Sequence, residues 1–318
     1  MMKRSQASAP GKIILFGEHA VVYGRPAIAV PVADVRAQAT LEVAPSNAGF
    51  RIVAPDLERD YLLVDAAPDD PLAKTVQITL EYLGQNHPPD ATLHVTSTIP
   101  LGRGLGSGAA ISAAIVRAMA EFFDQSVPTE AVSNLVYQVE KLYHGTPSGI
   151  DNTVISYEQP VYFIKGRPVQ RLRVVNLFTL VIGDTGIVAS TRKVVGGVRH
   201  RWQVDAQRYE GYFDEMSVIA RHAKMIIEQQ GMPVQALGKL MNENQELLEN
   251  IGVSSPELEQ LVKAARVAGA WGAKLSGAGG GGNMIALVPP QPDVVAAVSN
   301  ALTEAGASAV FVTEVRQV

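Results

Sequence analysis

The sequence predicts a mixed α/β protein of two domains, and three observations carry that. The chain has 318 residues, 47% hydrophobic and 18% charged, which is enough apolar side chain for a full core. Short apolar or alternating runs interleave with amphipathic helical stretches in both halves. Glycine-rich turns stand where strand patterns give way to other elements. The formal net charge is -4 with no basic run, which argues against a nucleic-acid groove. With no cysteine, disulfides, thiolate metal sites and a cysteine nucleophile are excluded. Residues 1–10 lack the apolar core of a signal peptide, and no apolar run approaches the ~20 residues of a membrane span. The expectation is a soluble cytoplasmic enzyme with no membrane or nucleic-acid partner.

In chain order, Lys12 to Phe16 and Ala27 to Val30 read as short strands around Gly17-Glu18-His19, with Tyr23-Gly24-Arg25-Pro26 as a turn. Ala37 to Val43 alternates like a strand, and Phe50 to Val53 is another. Leu72, Val76, Ile78, Leu80 and Leu83 give helical spacing from Pro71 to the stop at Gly84. Ala91 to Ile99 reads as a strand, and Ala109 to Phe123 and Thr129 to Tyr143 as helices. Val174 to Gly183 is β-rich and runs into the turn Asp184-Thr185-Gly186. Long helical stretches follow at Arg201 to Gln230 and Pro233 to Asn250. Ser255 caps a third helix, with Pro256 at its first position. Met284 to Val288 and Ala309 to Val315 read as strands. The pattern changes near residue 178, which divides the chain into 1–178 and 179–318; no internal repeat is visible.

Chemistry concentrates in four places. The first is Pro100-Leu101-Gly102-Arg103-Gly104-Leu105-Gly106-Ser107-Gly108-Ala109-Ala110, between a strand and a helix. The first N–H groups of a helix lack partners and its dipole is positive there, while glycine lets an anion approach the backbone. Four glycines exceed what an ordinary strand-to-helix turn needs, so the segment reads as a nucleotide phosphate loop. It also satisfies the dinucleotide pattern G-x-G-x-x-A, with Asp124 downstream as the ribose acid. Against that, the loop lies a third of the way into the chain, and Asp124 follows a helix rather than a second strand.

The second place holds Glu140, at a helix end, and Asp151, after the turn His144-Gly145-Thr146-Pro147-Ser148-Gly149. One carboxylate could hold Mg²⁺ and the other accept a proton, the division of labour of phosphoryl transfer. A solvated helix end and a turn-forming aspartate fit the spacing equally well. Lys12, on the edge of an apolar strand, needs an anionic partner. His19, beside Glu18, reads equally as a structural histidine, and the six histidines show no metal-ligand spacing. The last place is Lys274-Leu275-Ser276-Gly277-Ala278-Gly279-Gly280-Gly281-Gly282. Set between a helix and a strand, it suits a second loop closing over a triphosphate or substrate better than a flexible linker.

Taken together, these segments resemble the GHMP kinase superfamily over nearly the whole chain, and most of all its mevalonate kinase branch. Ser8 to Gly24 (SAPGKIILFGEHAVVYG) resembles the first family motif, PLGRGLGSGAA the second, which holds the ATP phosphates, and KLSGAGGGG the third. EKLYHGTPSGIDN, Glu140 to Asn152, resembles the segment with the Mg²⁺ ligand and general base, and Met241-Asn242, Leu247-Leu248 and Ile251-Gly252-Val253 also match the branch. The resemblance implies an N-terminal half like ribosomal protein S5 domain 2, a ferredoxin-like C-terminal half, and an active site in the cleft between them. It implies Asp151 as general base, Lys12 as its partner, and Glu140 as Mg²⁺ ligand. Glu18, His19, Ser148, Thr191, Gly277, Ala278 and Gly279 fall on the substrate side. ATP and Mg²⁺ are the implied cofactors and mevalonate the implied acceptor; a homodimer stays open. Gly108 stands where the family usually has a second serine that faces Mg²⁺, and Ser107 is the substitute candidate. Another small alcohol of the same superfamily (phosphomevalonate, homoserine or a sugar), an NAD-dependent oxidoreductase and a non-catalytic nucleotide sensor are the alternatives.

Overall fold

The computed structural model describes residues 3–144 and 147–316. Gly145 and Thr146, in the turn expected ahead of Asp151, lie outside the described residues. The elements in chain order are β1 (Arg4–Phe16), β2 (Ala27–Val43), β3 (Phe50–Ala54), β4 (Arg59–Leu62), α1 (Pro71–Tyr82), β5 (Ala91–Ser97), α2 (Ser107–Phe122), α3 (Thr129–His144) and α4 (Ile150–Tyr157). Then come β6 (Val161–Phe163), β7 (Gln170–Arg171), β8 (Phe178–Asp184), α5 (Thr191–Val204), α6 (Ala206–Glu228), α7 (Gln235–Asn250), α8 (Pro256–Val267), β9 (Gly272–Ser276), β10 (Asn283–Val288), α9 (Pro292–Glu304) and β11 (Ala309–Val315). No helix among the described residues is long and apolar enough to cross a membrane.

The chain forms two compact units that exchange segments. One gathers the chain up to Gly11, Val35–Pro100 and Gly106–Glu158; the other gathers Lys12–Asp34, Leu101–Leu105 and everything from Gln159 on. In the first, β5 pairs antiparallel with β2, Leu93 opposite Leu41, and parallel with β3, which carries β4 at its far edge. Leu41, Ile52 and Leu93 are fully buried. Helices α1 to α4 pack on one another, and α2 packs on β5. Asp70 caps α1 by accepting from Ala73 N–H at 2.9 Å, with Pro71 in the first turn.

In the second unit, β11, β8, β10 and β9 form an antiparallel sheet in that order. Strands β8, β9 and β10 are buried along their whole length, with α7, α8 and α9 packed against the sheet. All four strands lie from Phe178 onward. The start of β2 pairs with β6, Ala27 opposite Phe163.

Several elements differ from the sequence expectation. The two short strands expected at 27–30 and 37–43 are one strand, which pairs with β6 at its start and β5 at its end and also with β1; Pro31 lies between the β6 and β5 ladders. The helix expected from 201 to 230 is two: Asp205 leaves helical geometry and its carboxylate caps α6 through Arg208 N–H. Helix α5 begins at Thr191, capped by Ser190. The strand expected from Val174 begins at Phe178. Asp151 lies in the first turn of α4 rather than on a turn. Lys274 to Ser276 belong to β9 rather than to the glycine loop. Strands β4, β6, β7 and helix α9 carried too little pattern to be read.

Candidate active site

The phosphate loop joins β5 to α2. Gly102, Gly104 and Gly106 have φ of 69°, 83° and 76°, a region open to glycine at little cost. Gly106 precedes α2 without any side-chain cap, so the first N–H groups of the helix are left for an anion. Gly108 is different. It is helical, and an ideal Cβ there would lie 3.5 Å from Glu140 Oε1. The buried Glu140 carboxylate on α3 therefore stands against the N-terminal turn of α2, at Gly108. In the same unit, Asp151 is half-buried at the start of α4, just after Ser148, whose Oγ accepts from Ile150 N–H at 3.4 Å. Asn152 anchors that turn to α3, donating to Ser133 Oγ at 2.9 Å.

The second unit brings the other motifs together. Lys12 is buried, and its backbone N–H donates to Leu105 O at 2.9 Å, which ties β1 to the phosphate loop. Arg103 in that loop pairs with Asp184 at 3.2 Å, and Asn283 Nδ2 donates to Arg103 O. The glycine loop 277–282 is held at three points besides. Gly280 N–H donates to Val253 O at 2.8 Å, and Gly282 N–H to Ile187 O at 2.9 Å. His19 Nε2 bonds Ala278 O at 2.9 Å. At Gly279 a Cβ would fall 2.1 Å from Val253 O, so only glycine allows that approach. The two glycine loops thus lie against each other at residues 103 and 282–283, and the second is held rather than a free linker.

His19 sits at φ 60°, ψ -50°, with Ala20 N–H reaching back to Glu18 O at 2.6 Å. That is a γ-turn with positive φ, a rare and strained conformation for a residue with a side chain. Burial pulls the imidazole down to about 4, against the bond to Ala278, and the positive charges of Arg201 and Lys274 push the same way. The ring is thus neutral at pH 7. Since a carbonyl only accepts, Nε2 carries the proton; Nδ1 is left as a buried acceptor without a partner. Glu18 does not face outward as the neighbour of His19 on the substrate side. It is fully buried and paired with Lys274, also fully buried, and accepts from Asn244 Nδ2 at 3.4 Å. Burial pushes Glu18 up and Lys274 down, and each opposes the other's shift. No sequence signal linked residues 18 and 274. Thr191 is exposed at the start of α5.

The sheet around the phosphate loop is mixed, with β5 parallel to β3 and antiparallel to β2, unlike a doubly wound parallel sheet. Asp124 is exposed and paired with Lys3 at 2.6 Å. Within one unit, the uncapped glycine-rich start of α2 with the Glu140 carboxylate against it suits a phosphate and its counter-ion; within the other, neutral His19 keeps a ring acceptor. Two family models match the chain: the GHMP kinases N terminal domain matches residues 72–159, and the GHMP kinases C terminal domain residues 233–308. The chain belongs to the GHMP kinases and has their two-domain fold. Among relatives, it is 37% identical over 311 residues to a mevalonate kinase of Pyrococcus abyssi (strain GE5 / Orsay), covering 91% of this chain and 90% of that one. It is 38% identical over 309 residues to a mevalonate kinase of Thermococcus sibiricus, covering 92% of each. Among solved structures, L. major mevalonate kinase in complex with R-mevalonate matches with a TM-score of 0.85 and 30% identity, over 98% of this chain and 95% of that one.

Proposed function

We propose that the chain transfers the γ-phosphoryl group of ATP to the 5-hydroxyl of mevalonate. The observation that carries this is its similarity, along nine-tenths of its length, to mevalonate kinases. Neutral His19 supports it from chemistry: its unpartnered Nδ1 can accept a hydrogen bond from an alcohol, which an imidazolium could not do.

Roles then follow residue by residue. Backbone groups of Pro100 to Ala110, at the start of α2, cradle the phosphates. Asp151 accepts the proton of the attacking hydroxyl. The Lys12 ammonium offsets negative charge as the phosphoryl group moves. His19, with Gly277, Ala278 and Gly279 behind it, orients the alcohol, and Ser148 and Thr191 complete the acceptor's surroundings. Glu18 acts indirectly, by fixing through Lys274 the strained turn that presents His19.

Glu140, which faces the start of α2 at Gly108, would hold Mg²⁺ with Ser107 as a second oxygen donor. The ion would supply positive charge against the phosphates of ATP. We take the enzyme to work in the cytoplasm on small molecules. An ADP-release assay across mevalonate, phosphomevalonate, homoserine and galactose tests the reading. Mevalonate should give the highest kcat/KM; a higher value for any of the others overturns the choice of acceptor.

A further inference from the structure

Arg201 lies in the last turn of α5 and has no place in the family motifs matched above. Its Nη2 donates to Ile251 O at 2.8 Å and to Gly252 O at 3.3 Å. These carbonyls form the turn that ends α7, and the next one, Val253 O, accepts from Gly280 N–H at 2.8 Å. A two-step path therefore runs from the guanidinium to the glycine loop. The group is walled on both sides by glycines. An ideal Cβ at Gly197, one turn earlier on α5, would lie 3.3 Å from Nη1, and one at Gly252 would lie 3.4 Å from Nη2. Nε is buried without a partner, so the tilt of the plane is set by Nη2 and by these two walls.

We propose that Arg201 is the positioning residue of the 277–282 loop, holding it through the 251–253 turn. The inference rests on the reading above only where it makes that loop the acceptor's side. A helix C-terminus welcomes any cation, and a guanidinium there serving stability alone is the competing explanation.

Two neighbouring glycines of α5 separate the two. At Gly196 a Cβ meets nothing within 4 Å; at Gly197 it presses on the guanidinium. Neither glycine has positive φ, and alanine is the better helix former, so both Gly196→Ala and Gly197→Ala should hold or raise Tm. Only Gly197→Ala should displace Arg201, by a few tenths of an ångström. Hydrogen exchange of a peptide spanning Gly279 to Gly282 should then speed up in Gly197→Ala and not in Gly196→Ala. The KM for mevalonate should rise about 3–10-fold in Gly197→Ala alone, with the KM for ATP little changed. If exchange in Gly197→Ala matches that in Gly196→Ala, Arg201 does not position the loop and the proposal is overturned. Faster exchange with an unchanged mevalonate KM keeps the positioning role and removes the loop from the acceptor's side.

Discussion

Replacing Glu18 by glutamine takes the carboxylate out of a pair whose two side chains are both fully buried. Lys274 is left inside the core with no counter-charge, since its other contact is the backbone carbonyl of Leu275. Breaking a buried pair from one side costs about 3–5 kcal/mol, whereas replacing both partners with neutral groups of similar size is often close to neutral. Glu18→Gln should therefore lose about 3–5 kcal/mol, and adding Lys274→Met should return more than half of it. Urea unfolding followed by tryptophan fluorescence reads this directly, as Trp202 and Trp271 belong to the same compact unit as the pair. There is a pH signature too. Burial already lowers Lys274 from 10.5, and losing Glu18 lowers it further. Between that lowered value and 10.5 the unfolded chain holds a proton that the folded variant lacks, so the stability of Glu18→Gln should rise with pH across the window. Turnover should fall as well, because the same pair steadies the γ-turn at His19. Additive effects of the two substitutions, or a loss below about 0.5 kcal/mol for Glu18→Gln, would refute the reasoning.

Asp151→Asn should cut turnover by about 10²–10⁴-fold with ATP affinity near normal, because the phosphate loop is untouched; Lys12→Met should lower both, which calorimetry and steady-state kinetics separate. Gly108→Ser should keep the fold, since its Cβ has 3.5 Å to Glu140 Oε1, and should change the Mg²⁺ concentration giving half-maximal rate; an identical Mg²⁺ titration would make the missing hydroxyl incidental. His19 titrates at about 4 when folded against 6.5 for an ordinary histidine, so the unfolded state gains the proton first as pH falls. Stability should be lost from pH 6.5 downward, reaching roughly 3 kcal/mol below pH 4, and His19→Gln should remove that part of the pH dependence in urea titrations.

The parts legible in the sequence are those with a local cause. Helix α1 is announced by apolar spacing from Pro71 to the stop at Gly84, and α8 by Ser255-Pro256, a cap that acts within one turn. The phosphate loop is readable because backbone with positive φ at 102, 104 and 106 calls for glycine. Contacts made across the chain left no such trace. Glu18 and Lys274 are 256 residues apart, and neither neighbourhood shows that the other neutralises it. The break at Asp205 was hidden because helical periodicity continues on both sides of a capping residue. Arg201 stood out in the sequence only as the start of the expected 201–230 helix, since its partners are carbonyls fifty residues on.

The most direct test of the account is ³¹P NMR of a mixture of the protein, ATP, Mg²⁺ and R-mevalonate. Transfer to the 5-hydroxyl predicts ADP and one new phosphomonoester resonance, coupled to the C5 methylene protons and growing in step with ADP. Inorganic phosphate accumulating with mevalonate unchanged, or no loss of ATP in an enzyme shown to be folded, would contradict it.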